Sequence, residues 1–344
     1  MKIFSGLGMQ DLTAKVCEIL CTKPGRKNPK EGKEKFLNIC PGKIDVKIFP
    51  DGEIRPQILE NVRGQTVFII QSTDSSDSLI KLFVTLDALR RSSTKRIIAV
   101  IPYFGYARQE RKDRPRVPIS AALIAKFIEV AGANAVLTVD LHAGAIQGFF
   151  HGPCDHLYGS FILIPAVRKM MLESGNDLER YVIVAPDKGR VELNYFYAKK
   201  LGIQKILFCG KRKTEDSASA EAKKEVTYVD GVLPKNAICI TCDDMIGTAG
   251  TIKNASEALV EKGLRECNPI SQIIVTATHA LLSDPAIERI EKSPIDKVLV
   301  TDTIALGEKK SPKIIVHSIA PVLAEAIYRI NRNESISSLF ENHF

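Results

Sequence analysis

No run of about 18 consecutive apolar residues occurs in the 344-residue chain, so no membrane-spanning helix is expected. The opening residues Met1-Lys2-Ile3-Phe4-Ser5-Gly6-Leu7-Gly8 lack the long apolar stretch of a secretory signal and read instead as a first strand. A zinc-type ligand set is missing too. Cys239-Ile240-Thr241-Cys242 has C-x-x-C spacing, but no second such pair and no paired histidines complete it, and on a strand the two thiols point to opposite faces. The eight cysteines are scattered along the chain, so buried reduced thiols in a cytoplasmic protein are the expectation. Nor do aromatic and basic residues interleave as they would in a stacking platform for nucleic acid. The net charge of +8 is partly local, because residues 22–35 carry six basic and two acidic residues with two Pro and two Gly, the composition of a solvated loop. Anionic phosphate substrates account for the remaining basic residues, and neither nucleic acid nor membrane is expected as a partner.

What the chain does have is 45% hydrophobic and 26% charged residues, a balance that supplies ample core. Apolar strand-like runs alternate with amphipathic helical patterns almost throughout, which predicts α/β architecture with mainly parallel sheets flanked by helices. Strands are expected at Thr66–Gln71, Arg96–Ile101, Ala135–Val139, Tyr181–Ala185, Ile203–Cys209, Ala237–Cys242, Gln272–Thr276 and Lys297–Thr301. Helices are expected at Asp77–Arg91 and at Pro118–Ala131, the latter with Pro in its first turn. The length favours two domains, 1–158 and 159–317, with 318–344 packing back on the first through the amphipathic segment Ala320–Arg332.

Chemistry concentrates where the expected strands end. Asp243-Asp244-Met245-Ile246-Gly247-Thr248-Ala249-Gly250-Thr251 places two carboxylates and then a small-residue turn between a strand and a helix. Carboxylates accept hydrogen bonds from sugar hydroxyls, while backbone N–H groups at a helix N-terminus favour a phosphate. The pattern suits a phosphorylated sugar, although an acidic pair beside Gly also simply ends a strand and caps a helix. Pro102–Arg114 combines three aromatic rings with several cations, among them Arg108, and with Gln109 and Asp113. Arginine contacts phosphate bidentately, so the segment suits a triphosphate; its plain alternative is a solvated charged loop. Asp140-Leu141-His142 and Pro186-Asp187 each follow a strand, and His142 with Asp187 would fit Mg²⁺, which takes one or two protein ligands and completes its shell with water and phosphate.

Together these motifs resemble the ribose-phosphate pyrophosphokinase (phosphoribosyl pyrophosphate synthetase) family, whose domains are of the type I phosphoribosyltransferase kind. The matching pieces are Phe49-Pro50-Asp51-Gly52-Glu53, Gln71-Ser72-Thr73, Tyr106–Gln109, Asp140–Ala143, Pro186-Asp187, Asp243–Thr251, Ala320–Ile327 and Ser335–Phe340, in the family's order over nearly the whole chain. A phosphoribosyltransferase that consumes activated ribose shares the 243–251 loop but leaves the Phe49 segment and Arg108-Gln109 unexplained.

The resemblance implies that ribose 5-phosphate attacks the β-phosphorus of MgATP. Phe49 would stack on adenine, with Asp51 and Glu53 binding its polar edge from a neighbouring subunit. Arg108, Gln109 and Asp113 would bind ATP, His142 and Asp187 would contact Mg²⁺, and Asp140 would support that site. Asp243, Asp244, Gly247, Thr248, Ala249, Gly250 and Thr251 would hold ribose 5-phosphate. Lys211, Arg212 and Lys213 would stabilise the transferring group from a mobile loop reaching Lys224. Homo-oligomers, commonly hexamers built of dimers, are implied as well. The chain departs from the family pattern at Gly247, where Asp is usual, and at Arg190, where Gly is usual and a cation either obstructs the turn or binds phosphate. Lys188, Ala145, His151 and Lys213 differ too, so a catalytically weak, nucleotide-binding paralogue that regulates an active partner is the alternative.

Overall fold

The computed structural model describes residues 1–25, 36–213 and 225–339. The basic loop beyond Gly25, the loop expected between Lys213 and Glu225, and Phe340 lie outside the described residues. Two compact units are present: Met1–Gly159 with Thr303–Ala305 and the stretch from Ser318, and Ser160–Asp302 with Leu306–His317. Among the described residues no helix is long and apolar enough to cross a membrane.

The first unit runs β1 (Lys2–Ser5), α1 (Gln10–Cys21), β2 (Ile44–Ile48), β3 (Ile54–Ile58), β4 (Thr66–Ile70), α2 (Ser76–Arg91), β5 (Arg96–Ile101), α3 (Ser120–Ala131), β6 (Ala135–Val139) and β7 (Cys154–Leu157). Its sheet is parallel throughout, in the order β1-β4-β5-β6-β7, while β2 and β3 form a separate antiparallel hairpin. Val67, Ile69, Ile97, Ala99 and Ile101 pack on one face under α2 and α3, and Phe68, Ile70, Ile98 and Val100 are buried on the other. Burial on both faces is why these strands read as unbroken apolar runs. Helix α2 starts on a capping box in which Ser75 and Ser78 satisfy each other's backbone N–H. Helix α3 starts at Ser120, not at Pro118, because Ile119 keeps a non-helical backbone (φ −104°, ψ 81°).

The second unit follows with α4 (Ser160–Glu173), β8 (Tyr181–Ala185), α5 (Val191–Leu201), β9 (Ile206–Lys213), β10 (Glu225–Asp230), β11 (Ile238–Ile246), α6 (Gly250–Arg265), β12 (Gln272–Ala280), α7 (Ala286–Glu291), β13 (Lys297–Thr301) and β14 (Ile314–His317). The sheet order is β10-β9-β8-β11-β12-β13-β14, parallel except for the β9–β10 pair. Strand order reverses between β8 and β11, and the crevice beyond the carboxyl ends at such a reversal is where open α/β sheets bind ligands. Cys239 packs on one face with Val182 and Val184, and Cys242 on the other with Ile183 and Ile240, so the C-x-x-C pair is split by the sheet. Burial pushes both thiols up to about 12, which keeps them protonated and inert.

Three strands extend beyond their expected ends. β9 continues through Lys211–Lys213 because β10 pairs with it, Thr227 opposite Lys211 and Glu225 opposite Lys213. β11 and β12 prolong each other, Asp243 opposite Ala277 and Ile246 opposite Ala280. The acidic pair therefore lies on a strand and not in the loop after it.

The last helix, α8 (Ala320–Arg332), belongs to the first unit and packs on α1. Glu325 clamps this contact, receiving Lys23 Nζ at 2.7 Å and Arg329 Nε at 2.6 Å. Burial alone would raise the Glu325 carboxyl, but those two cations outweigh it and hold it below the ordinary glutamate range. A depressed folded pKa gives stability that is present above the unfolded value and lost as pH falls through the folded one. Glu325→Gln is therefore expected to cost up to about 1 kcal/mol at neutral pH, a difference that fades below about pH 4. Urea unfolding of both proteins across that pH range checks it.

Candidate active site

In the second unit, the turn after β8 and the end of β11 carry the polar groups. Asp187 is extended (φ −158°), and its Oδ1 accepts from Gly189 N at 2.9 Å, which closes the turn Pro186–Arg190. The chain then enters α5, whose buried stripe is Asn194, Tyr197, Ala198 and Leu201. Asn194 is fully buried and donates through Nδ2 to Arg190 O and Cys242 O, both at 2.8 Å, while Cys242 N donates to its Oδ1 at 3.1 Å. One amide thus ties the turn after β8 to the residue preceding the acidic pair.

Arg190 is engaged by the acidic pair. Its Nε lies 2.8 Å from Asp243 Oδ1 and its Nη2 2.7 Å from Asp244 Oδ1. Burial first, and the adjoining Asp244 carboxylate second, push the Asp243 carboxyl well above the ordinary range; the Arg190 cation pulls it back. Beyond the acids, the turn Gly247–Ala249 leads into α6. Ala249 takes a left-handed backbone (φ 59°) without being glycine, a conformation that costs free energy and clusters at binding sites. Arg289 of α7 reaches this turn and donates to Thr248 O at 2.9 Å. The amides of the first turn of α6 and the helix dipole suit an anion there.

The first unit places its own candidates at the carboxyl edge of its sheet. Thr73 Oγ1, just past β4, accepts from Gly105 N at 2.7 Å, and Thr73 N donates to Tyr103 O at 2.9 Å. The loops lie so close that a Cβ on Gly105 would fall 1.9 Å from Thr73 O, so only glycine fits. Tyr106 (φ 62°) then turns the chain into Ala107–Gln109, presenting Arg108 and Gln109 on the surface, with Gln109 Oε1 accepting from Ser120 Oγ at 2.6 Å. Asp113 is exposed and pairs with Arg114 at 3.4 Å. Asp140 is left-handed as well (φ 39°), held by Gly159 N donating to its Oδ2 at 2.9 Å. His142 is half-buried in the same turn. At the tip of the β2–β3 hairpin, Phe49 N donates to Glu53 O, Lys47 lies over the Phe49 ring, and Asp51 and Glu53 are exposed.

Among the described residues no three His, Cys, Asp or Glu side chains converge as a metal cluster. Asn194, Arg289 and His156 are absent from the sequence-level site. His156 is buried and accepts from Leu141 N at 2.9 Å, steadying the turn that carries His142. Asn194 had a legible signal, a polar residue on the apolar stripe of a helix. Arg289 had none, since nothing near it in the chain points to Thr248.

Residues 1–132 match the family described as the N-terminal domain of ribose phosphate pyrophosphokinase, and residues 217–341 the phosphoribosyl synthetase-associated domain. A ribose-phosphate pyrophosphokinase of Rhodopirellula baltica is 41% identical over 343 residues, covering 99% of this chain and 98% of that protein. One from Campylobacter jejuni is 45% identical over 308 residues, 89% of this chain and 93% of that one. The crystal structure of phosphoribosylpyrophosphate synthetase from Mycobacterium smegmatis is 33% identical with a TM-score of 0.79, covering 96% of this chain and 99% of that chain.

Asn194→Ala would leave the buried N–H and C=O of Cys242 without their partner. The expected loss is about 2–3 kcal/mol of unfolding free energy, measurable by denaturant titration.

Proposed function

The chain belongs to the ribose-phosphate pyrophosphokinase family, and from that premise we infer that it transfers the pyrophosphoryl group of ATP to the anomeric hydroxyl of ribose 5-phosphate, yielding phosphoribosyl pyrophosphate and AMP. The observation that carries this is identity of 41% sustained along essentially the full length of a protein of that name. Nothing observed favours the regulatory alternative.

In this reading Asp243 and Asp244 receive the sugar hydroxyls, and the 5-phosphate sits on Gly247, Thr248, Ala249, Gly250 and Thr251. Arg108, Gln109 and Asp113 bind ATP, and Phe49, Asp51 and Glu53 take the adenine from a neighbouring subunit. That last assignment requires a homo-oligomer, and the family resemblance implies a hexamer built of dimers. Residues 1–158 and 159–317 act as N- and C-terminal domains, with 318–344 returning to the first, and the protein works in the cytoplasm.

Asp140, His142 and Asp187 would hold Mg²⁺. That ion keeps water and substrate phosphates in its shell and needs only one or two protein ligands. When bound, it neutralises charge on the transferring phosphates. The chain's own share is placement of the attacking hydroxyl and of the phosphates, the main source of acceleration in phosphoryl-type transfer. Lys211, Arg212 and Lys213 neutralise the transferring group from the end of β9.

AMP release from ATP that depends on ribose 5-phosphate and Mg²⁺, followed by coupled assay with and without added phosphate, tests the activity; its absence from the pure protein would return the regulatory paralogue. Lys211→Ala is expected to lower kcat about 10²–10³-fold with little change in the KM for ATP. Near-parental turnover in steady-state kinetics would remove Lys211 from the mechanism.

A further inference from the structure

At the end of β11 one guanidinium spans two carboxylates that are neighbours in sequence. The side chains of Arg190, Asp243 and Asp244 are only 18%, 12% and 7% exposed. Their arrangement is built into the fold. Asn194 fixes the Arg190 carbonyl and both backbone groups of Cys242, so the root of the arginine and the strand position before Asp243 are held by the same amide. Asp244 N also donates to Asp243 Oδ1 at 2.8 Å, which sets the rotation of that carboxylate.

Two adjoining, largely buried carboxylates have a simple alternative when no cation is present. They share a proton, which turns one acceptor into a donor. The guanidinium opposes that sharing, and its planar fork fixes one oxygen of each acid in a way a lysine ammonium does not. It also reduces the local charge from −2 to −1, which matters because the incoming sugar phosphate is itself an anion.

We propose that Arg190 is a positioning and specificity-determining residue for the sugar: by bridging Asp243 and Asp244 it holds both carboxyl groups in one fixed orientation toward the vicinal hydroxyls of a pentose 5-phosphate. This rests on the assignment of the sugar hydroxyls to those two carboxylates. It also removes Arg190 from the phosphate-binding set, leaving that task to the turn before α6.

The test is steady-state AMP release by the full-length enzyme with ribose 5-phosphate or 2-deoxyribose 5-phosphate varied at saturating ATP. Arg190→Gln is expected to raise the KM for ribose 5-phosphate about 10–100-fold, the loss that follows from misaligned charge-assisted hydrogen bonds, with the KM for ATP unchanged. The preference for ribose over 2-deoxyribose should fall with it, a change that general loosening of the fold would not single out. Arg190→Lys restores the charge without the fork and should recover part of the sugar KM; if Arg190→Gln does not fold, Arg190→Lys decides alone by a raised sugar KM beside an unchanged ATP KM. A parental or lower sugar KM in the variant that decides would overturn the proposal, the lower value meaning that the guanidinium competes with the sugar. Asp243→Asn and Asp244→Asn separate the two levels. If neither changes the sugar KM, the assignment of the hydroxyls fails and the proposal with it. If they raise it while Arg190→Gln does not, the assignment stands and the proposal alone falls.

Discussion

Parallel strand pairing with apolar side chains on both faces constrains everything else in this chain. A strand buried on both sides has no room for a charged side chain along its length, because an unpaired polar group in such a layer is strongly penalised. Chemistry is pushed to the carboxyl ends. In the first unit those ends carry Gln71–Thr73, the Pro102–Arg114 loop and Asp140–His142; in the second they carry Asp187–Arg190 and Asp243–Thr251. The separation of Cys239 from Cys242 by the thickness of the sheet is the same rule applied to thiols. The reversal of strand order at β8 and β11 then selects which two ends face one crevice.

Function at those ends requires groups that a fold would otherwise avoid, and each is braced by side chain–backbone bonds from another segment. Tyr106, Asp140 and Ala249 are among the non-glycine residues in the left-handed region. The first is next to the Thr73–Gly105 lock, the second is fixed by Gly159 and by His156 on the adjoining turn, and the third lies beside the Arg289 bond to Thr248. The carboxylate pair is the costliest feature of the second unit. A buried acid left uncompensated neutralises by taking a proton, and Arg190 is the cation that opposes this at the pair.

The elements written in local pattern were legible residue by residue. Arg96–Ile101, Ala135–Val139, Tyr181–Ala185, Lys297–Thr301 and Ala320–Arg332 have the bounds their hydrophobic periodicity implies. Ends set by a partner were not. Nothing within Gly210–Lys213 says that Glu225–Tyr228 will lie alongside it, and nothing within Asp243–Ile246 says that β12 will continue beside it. The same distinction runs through the candidate site. The acids of the 243–251 segment stand out because strand, acids, small residues and helix follow one another in the chain. The destination of the Arg190 side chain is invisible there, since it depends on β8 and β11 being neighbours although more than fifty residues separate their turns.

That adjacency changes the electrostatic logic of the second unit. Read along the chain, Arg190 looks like a cation that either obstructs its turn or binds phosphate. In space, Arg190 is engaged by the carboxylates and Arg289 by the Thr248 carbonyl, while Lys188 remains exposed. A cation held in a buried ion pair offers little net charge to an incoming phosphate, because binding the second anion means weakening its hold on the first. In our reading the sugar phosphate therefore relies on backbone amides and the α6 dipole, which carry no counter-charge to displace. In our reading, neutralising the transferring group falls to Lys211, Arg212 and Lys213. On that reading the two tasks, fixing a neutral diol and stabilising a moving anion, are given to different cations, so that neither competes with the other.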